Sequence, residues 1–297
     1  MTMKYTISLL SAAFMMLVSL TAGAQALPFV AAEYGAASLG TAGAGLVGNT
    51  NAVAVPFSDM TIDATAGYTL WAPTKANVMG VNAAYNLKNK LGVTAGFTYG
   101  LNPSYTITNT DGMAAGSFSP TDMMAEVGVS YRFLPFMSVG ANVGYAMSSL
   151  TDKYSYGAVA ADVYVMAVLS DLKLTAGVSN IGTAVTSASG AKFSLPTSVA
   201  LGAGYGVTFA GMHRVDVLLD ADYFLSGDIA VAAGVEYAMN DLAFVRAGYR
   251  YGGNSPVPSF ASVGAGVKIL GIKLDVAYIL GSPIMGNTLA ARIGYCF

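Results

Sequence analysis

Charge is scarce in this chain: Asp, Glu, Lys and Arg make up 10% of its 297 residues, where soluble domains carry about 25%. Something other than water must face much of the surface. A single cysteine, Cys296, excludes an intrachain disulfide. One residue from the end, it reads as a small packed side chain in preference to a reactive thiol. With one histidine, His213, there is no His/Cys cluster to hold a metal. The glycine run Gly202-Ala203-Gly204 sits inside strand-like sequence, not ahead of a helix, so it is not a phosphate loop. No cofactor is expected. The formal net charge of −2 leaves no basic footprint for nucleic acid.

Long apolar runs are also missing, although the mean hydropathy is +0.55. A helical membrane protein needs runs of about 18 residues or more. Here the longest uncharged stretches, such as 193–212, contain Pro196 and several glycines and alternate instead. Only the start differs. Lys4, an uncharged run from Tyr5 through Leu20, and Ala22-Gly23-Ala24 before Gln25 read as a secretory signal peptide over 1–24. The competing reading, a first transmembrane helix, is weaker because the strongly apolar core is too short to cross a bilayer. No linker divides the chain beyond Gln25, which points to one domain.

What is present from Thr61 onward is a period of two. Leu91, Val93, Ala95, Phe97 and Tyr99 form one apolar stripe, and Val215, Val217, Leu219, Ala221 and Tyr223 another. Segments of about ten alternating residues are the mark of a transmembrane β-strand, apolar toward lipid and small or polar toward the lumen. The pattern predicts an all-β, antiparallel up-and-down barrel over 60–297 with about fourteen strands. They fall near 61–71, 77–87, 90–101, 122–133, 136–147, 154–168 and 171–182. The rest fall near 197–209, 212–223, 228–238, 241–252, 259–269, 271–280 and 287–297. Links after even strands are short, as in Leu134-Pro135 and Leu270-Gly271, whereas links after odd strands include the long ones at 102–121 and 182–196. That asymmetry fits short periplasmic turns, longer outer loops and both termini periplasmic. His213 then falls at a short turn, away from the outer-leaflet side where barrel enzymes use a histidine base, so an enzyme is not expected.

The C-terminus alternates to a terminal aromatic, with Tyr295 and Phe297 outward, and resembles the signal read by the barrel-insertion machinery of the outer membrane. Other aromatics near strand ends, such as Tyr131, Tyr249 and Tyr251, suit a headgroup belt, though ordinary β-propensity also places them there.

Strand parity sends the charges inward. The acids are Asp63, Glu126, Asp162, Asp216, Asp220, Asp222, Glu236 and Asp275; the bases are Arg132, Lys173, Arg214, Arg246, Arg250, Lys268, Lys273 and Arg292. A lipid-facing Arg or Lys costs about 2–4 kcal/mol at mid-bilayer, which explains the sorting. A balanced set concentrated in the last six strands predicts a lumen ion network of Asp216, Asp220, Glu236, Arg246, Arg250, Lys268, Asp275 and Arg292. Its centre should be Arg246 and Arg250 facing Asp220 and Glu236. A solute-selective pore would more often show one dominant sign.

Ahead of the barrel, 25–59 loses the period and becomes rich in alanine and glycine. It reads as a plug segment carrying Gly40, Gly43, Gly45, Asn49 and Asn51, with a flexible periplasmic tail as the alternative.

Several short pieces together resemble the FadL-like barrels, and in particular the PorV/PorQ branch of Bacteroidetes outer-membrane proteins. They are Ala37-Ser38-Leu39-Gly40 with Gly43-Ala44-Gly45, Gly116-Ser117-Phe118-Ser119 before Thr121-Asp122, Gly177-Val178-Ser179-Asn180-Ile181-Gly182, and Val235-Glu236-Tyr237 before Arg246-Ala247-Gly248-Tyr249-Arg250. The resemblance implies a fourteen-stranded barrel with an N-terminal hatch. On the PorV/PorQ side it implies a non-enzymatic protein that binds secreted cargo or other envelope proteins in type IX secretion. On the FadL side it implies a channel for hydrophobic small molecules. The Asn-Pro-Ala element usual after the hatch is absent: Asn49-Thr50-Asn51-Ala52-Val53-Ala54 runs into Val55-Pro56-Phe57. The outer loops are also short for docking a folded cargo. The mixed charges of the lumen favour the partner-binding reading over a hydrophobic conduit, and the glycine-rich segment argues against a small open porin.

Overall fold

The computed structural model describes residues 25–48, 51–71, 74–151, 154–187, 189–281 and 286–297. The signal-peptide reading at 1–24 and Asn49 lie outside them.

The alternation builds a closed antiparallel barrel of fourteen strands. The first half comprises β1 (Ile62–Trp71), β2 (Ala76–Leu87), β3 (Leu91–Leu101), β6 (Thr121–Leu134), β7 (Met137–Ser149), β8 (Ser155–Leu169) and β9 (Leu172–Gly182). The second comprises β12 (Ser198–Phe209), β13 (His213–Phe224), β14 (Ile229–Met239), β15 (Ala243–Tyr251), β16 (Phe260–Ile269), β17 (Ile272–Leu280) and β18 (Thr288–Cys296). Pairing of β1 with β18, from Asp63 opposite Cys296 to Leu70 opposite Leu289, closes the ring. Closure leaves no barrel strand with an unpaired edge, which a strand in lipid requires.

The two mouths differ. At one, tight turns connect the strands. In the two-residue link between Ile269 and Ile272, Leu270 and Gly271 both take left-handed backbone, at φ +52° and +84°. That is the type I′ pattern whose twist matches an antiparallel pair. At the other mouth two long links carry hairpins of their own, where the period of two predicts only loops. They are β4 (Tyr105–Thr108) with β5 (Ala114–Phe118), and β10 (Val185–Thr186) with β11 (Lys192–Phe193).

The outer face is apolar. Val93, Phe97, Val217 and Leu219 are each more than 40% exposed, as a lipid-facing stripe requires. The inner face is small, and the reason lies in what fills the bore. The N-terminal segment enters at the loop mouth, where Gln25 bridges Ser194 and Leu27 packs among Ala146, Ala158 and Val185. A short helix, α1 (Ala36–Gly40), packs on β16 and β17. A 3-10 turn over Ala52–Phe57 then packs on β3, β6 and β7, with the Asn51 side chain accepting from Val53 N–H at 3.2 Å. The segment leaves at the tight-turn mouth, where Asn86 Nδ2 donates to the Ser58 carbonyl at 2.7 Å and Thr61 N–H to Phe297 at 2.6 Å. Wall glycines make this passage possible. A Cβ at Gly248 would stand 2.5 Å from the Thr41 carbonyl carbon, and one at Gly140 3.1 Å from the Val53 backbone.

The ends of the described chain lie at different mouths. The start of β1 and the C-terminus do share the tight-turn mouth, but Gln25 lies at the opposite one. The cause is that 25–59 threads the full bore before β1 begins.

Candidate functional site: three spaces in the bore

The threaded segment divides the lumen into three spaces of different chemistry. At the loop mouth lies a cavity of about 690 Å³, within the range that holds a small molecule. Leu27, Phe29, Tyr34, Trp71, Val78 and Tyr156 supply much of its apolar lining. Trp71, the one tryptophan of the chain, points inward at the last position of β1 and is buried. Tyr34 meets it edge to face, ring centroids 5.5 Å apart at 78°, and Thr69 Oγ1 holds the Tyr34 carbonyl at 2.8 Å. Burial and the neighbouring Asp122 carboxylate push the Tyr34 phenol well above its ordinary range, so it stays neutral.

A central chamber of about 300 Å³ adjoins it, bordered by Glu33, Asp162, Tyr164, Asn180, Asp222 and Arg250. Glu33 keeps accessible surface on this chamber, yet it is enclosed by the barrel wall. Desolvation raises its pKa above the usual carboxyl value, opposed by Arg250 and a hydrogen bond with Ser38. The wall here is irregular. The β8–β9 register shifts between Ala161 and Val163, Asn180 takes φ +56°, and Asp162 Oδ1 accepts the Asn180 N–H at 2.7 Å. Such a bulge re-aims side chains at the cost of a ladder bond.

The third space, about 650 Å³ at the tight-turn mouth, is lined by mixed charges. Arg246 bridges Glu236 and Asp275, its Nη1 2.7 Å from Asp275 Oδ1, while Arg292 Nη2 takes Asp275 Oδ2 at 2.6 Å. Arg246 and Asp275 are both buried. Nearby, Lys273 Nζ meets Asp63 at 2.5 Å and Arg214 meets Asp216 at 2.7 Å. The cluster also supports α1: a Cβ on Gly40 would touch Arg246 Cδ at 3.1 Å, and Ser262 Oγ donates to the Gly40 carbonyl at 3.1 Å.

Two parts of the expected ion network are placed differently. Among the described residues, Asp220 makes no ion pair with Arg246 or Arg250. Its Oδ2 accepts the backbone N–H groups of Gly45 and Leu46 at 2.7 and 2.8 Å, so it holds the threaded segment to the wall. Arg250 takes Asp222 at 3.4 Å instead, and Gly43 lies against its guanidinium, a Cβ there being 3.7 Å from Nη1. Lys268 lines the third space without a carboxylate in ion-pair reach among the described residues. Its cross-strand partner is Lys273, and the surrounding acids are held by Lys273, Arg246 and Arg292. His213 sits at the tight-turn end, its Nδ1 2.7 Å from the Tyr237 hydroxyl and its ring stacked on Phe209. Tyr295 and Phe297 face outward, with ring centroids 6.1 Å apart.

The loop-mouth cavity is the feature that sequence reading missed. Its lining is drawn from chain positions as distant as Leu27, Tyr156 and Pro256. The one available signal was Trp71, an inward aromatic at a strand end.

No family model and no curated protein matches the chain. Solved structures do. The toluene transporter TodX of P. putida superposes with a TM-score of 0.60 at 13% identity, covering 89% of this chain and 98% of that one. The toluene transporter TbuX of Ralstonia pickettii gives 0.60 at 11%, covering 89% and 97%. A FadL homologue of Pseudomonas aeruginosa gives 0.55 at 10%, covering 88% and 98%. At these identities the likeness is one of fold. The chain shares the closed fourteen-stranded barrel fold of these structures.

Proposed function

We propose that the protein is a non-enzymatic outer-membrane barrel that admits hydrophobic small molecules from its loop mouth, with residues 25–59 as the plug beneath the entry site. The observation that carries this reading is the apolar cavity beside Trp71, large enough for a small ligand and closed below by Phe29 and Tyr34 of the plug. Gly40, Gly43, Gly45 and Asn51 belong to that plug, and each is packed or hydrogen-bonded within the bore. TodX and TbuX are described as toluene transporters, which agrees with an apolar cargo. The partner-binding reading on the PorV/PorQ side rests on the short motifs; the likeness to TodX and TbuX favours the conduit. Tyr295 and Phe297 serve as the insertion signal, read by the barrel-insertion machinery and then set against lipid.

Trp71 is a built-in reporter. Titrating the protein in zwitterionic nanodiscs with 1-decanol should give a saturable change in tryptophan emission. Gly100→Leu should weaken it, because Gly100 lines the cavity and a Cβ there meets only ordinary contacts at 3.7 Å. A response that rises linearly with 1-decanol in both proteins, without saturation, would contradict the proposal.

A further inference from the structure

Charge is unevenly spread along the bore. Among the described residues, the cavity at the loop mouth is lined by one carboxylate, Asp122, and by no lysine or arginine. Asp122 is the second residue of β6, flanked in register by Gly100 and Ser148, so its wall neighbours bring neither charge nor bulk. Asn102 Nδ2 donates to its Oδ2 at 2.9 Å, and no cation lies within ion-pair reach among the described residues. The acidic character continues inward. Glu33, Glu126, Asp162, Asp220 and Asp222 border the central chamber against Arg250 and Arg292, and Arg292 is already bound to Asp275. Lys173, Arg214, Arg246, Lys268 and Lys273 all line the third space, at the far mouth.

An apolar space whose one charged side chain among the described residues is a carboxylate discriminates by the sign of its guest. A carboxylate-headed amphiphile entering it meets repulsion in a poorly screened setting, whereas an ammonium finds an opposite charge. The aromatic faces of Tyr34 and Trp71 add attraction for a cation and none for an anion.

We infer that the loop-mouth cavity takes an apolar molecule bearing a cationic ammonium end, its body against Phe29, Tyr34, Trp71 and Val78 and its ammonium on Asp122. This deepens the hydrophobic-conduit reading and rests on it. The preference comes from charge placement in the wall, and Asp122 is the residue that sets it.

The test compares three ten-carbon probes by Trp71 emission in zwitterionic nanodiscs: decylamine, 1-decanol and decanoate. Decylamine should bind at least about tenfold more tightly than decanoate, with 1-decanol between them. Asp122→Asn should remove the advantage of decylamine over 1-decanol. Decanoate binding as tightly as decylamine to the wild-type protein would overturn the inference, whether or not the variant folds. So would a preference for decylamine that survives in Asp122→Asn. Saturable 1-decanol binding without any preference among the probes sinks this inference alone. Absence of saturable binding by all three sinks the conduit reading with it.

Discussion

Removal of residues 25–59 is expected to raise single-channel conductance in planar bilayers by about tenfold or more over the full-length protein, since a fourteen-strand bore emptied of its filling approaches the width of an aqueous channel. The expectation rests on the path of the segment. It runs from Gln25 at the loop mouth to Ser58 at the tight-turn mouth, so no continuous route past it has the width of the bore. Its hold is distributed. Asp220 grips Gly45 and Leu46, Ser262 grips Gly40, and Ser138 Oγ donates to the Val53 carbonyl at 2.6 Å. The same deletion should abolish the saturable Trp71 response, because Leu27, Phe29 and Tyr34 leave the cavity with it. Unchanged conductance would show that the segment does not obstruct the bore in a bilayer.

The second large effect concerns stability. Asp275→Ala should cost about 3–5 kcal/mol of unfolding free energy, the range for removing one partner of a buried ion pair. The carboxylate joins the buried Arg246 and the partly buried Arg292, and its loss leaves Arg292 without its ion pair and Arg246 with Glu236 only. Lys268→Ala, at a position holding no ion pair among the described residues, should change stability by no more than about 0.5 kcal/mol. Urea unfolding in phospholipid vesicles, followed by Trp71 emission, measures both. Equal effects of the two substitutions would show that the Arg246–Asp275–Arg292 cluster is solvated surface, not a structural tie.

These two cases mark where sequence reading succeeds and where it stops. The strands were legible because their signal is local. In Leu91 to Tyr99 every second side chain must be apolar if one face meets lipid, whatever the distant chain does. The inward direction of Asp275 and Arg292 was legible for the same reason. Their pairing was not, since it depends on register. Asp220 and Asp222 sit two residues apart on one face; the register puts Asp220 in line with Arg250 across Ala232, yet Asp220 takes the Gly45 and Leu46 N–H groups of the threaded segment and Arg250 turns to Asp222. The path of the segment was hidden for a related reason. Thr41 meets Gly234 and Gly248 about two hundred residues away, and a glycine in a strand does not announce what will press against it. Those inward glycines are the negative image of the threaded segment. The cavity was hardest to see, because it is a space enclosed by the start of the threaded segment, several strand ends and the outer links, with no motif of its own.

The central claim is that an apolar molecule enters at the loop mouth and rests above the plug. Anomalous diffraction from crystals of the protein soaked with 1-bromodecane tests it most directly. The account predicts a bromine peak inside the loop-mouth cavity, within contact of Trp71 or Tyr34. Bromine found only on the outer apolar belt, or in the charged space beneath the plug, would contradict it.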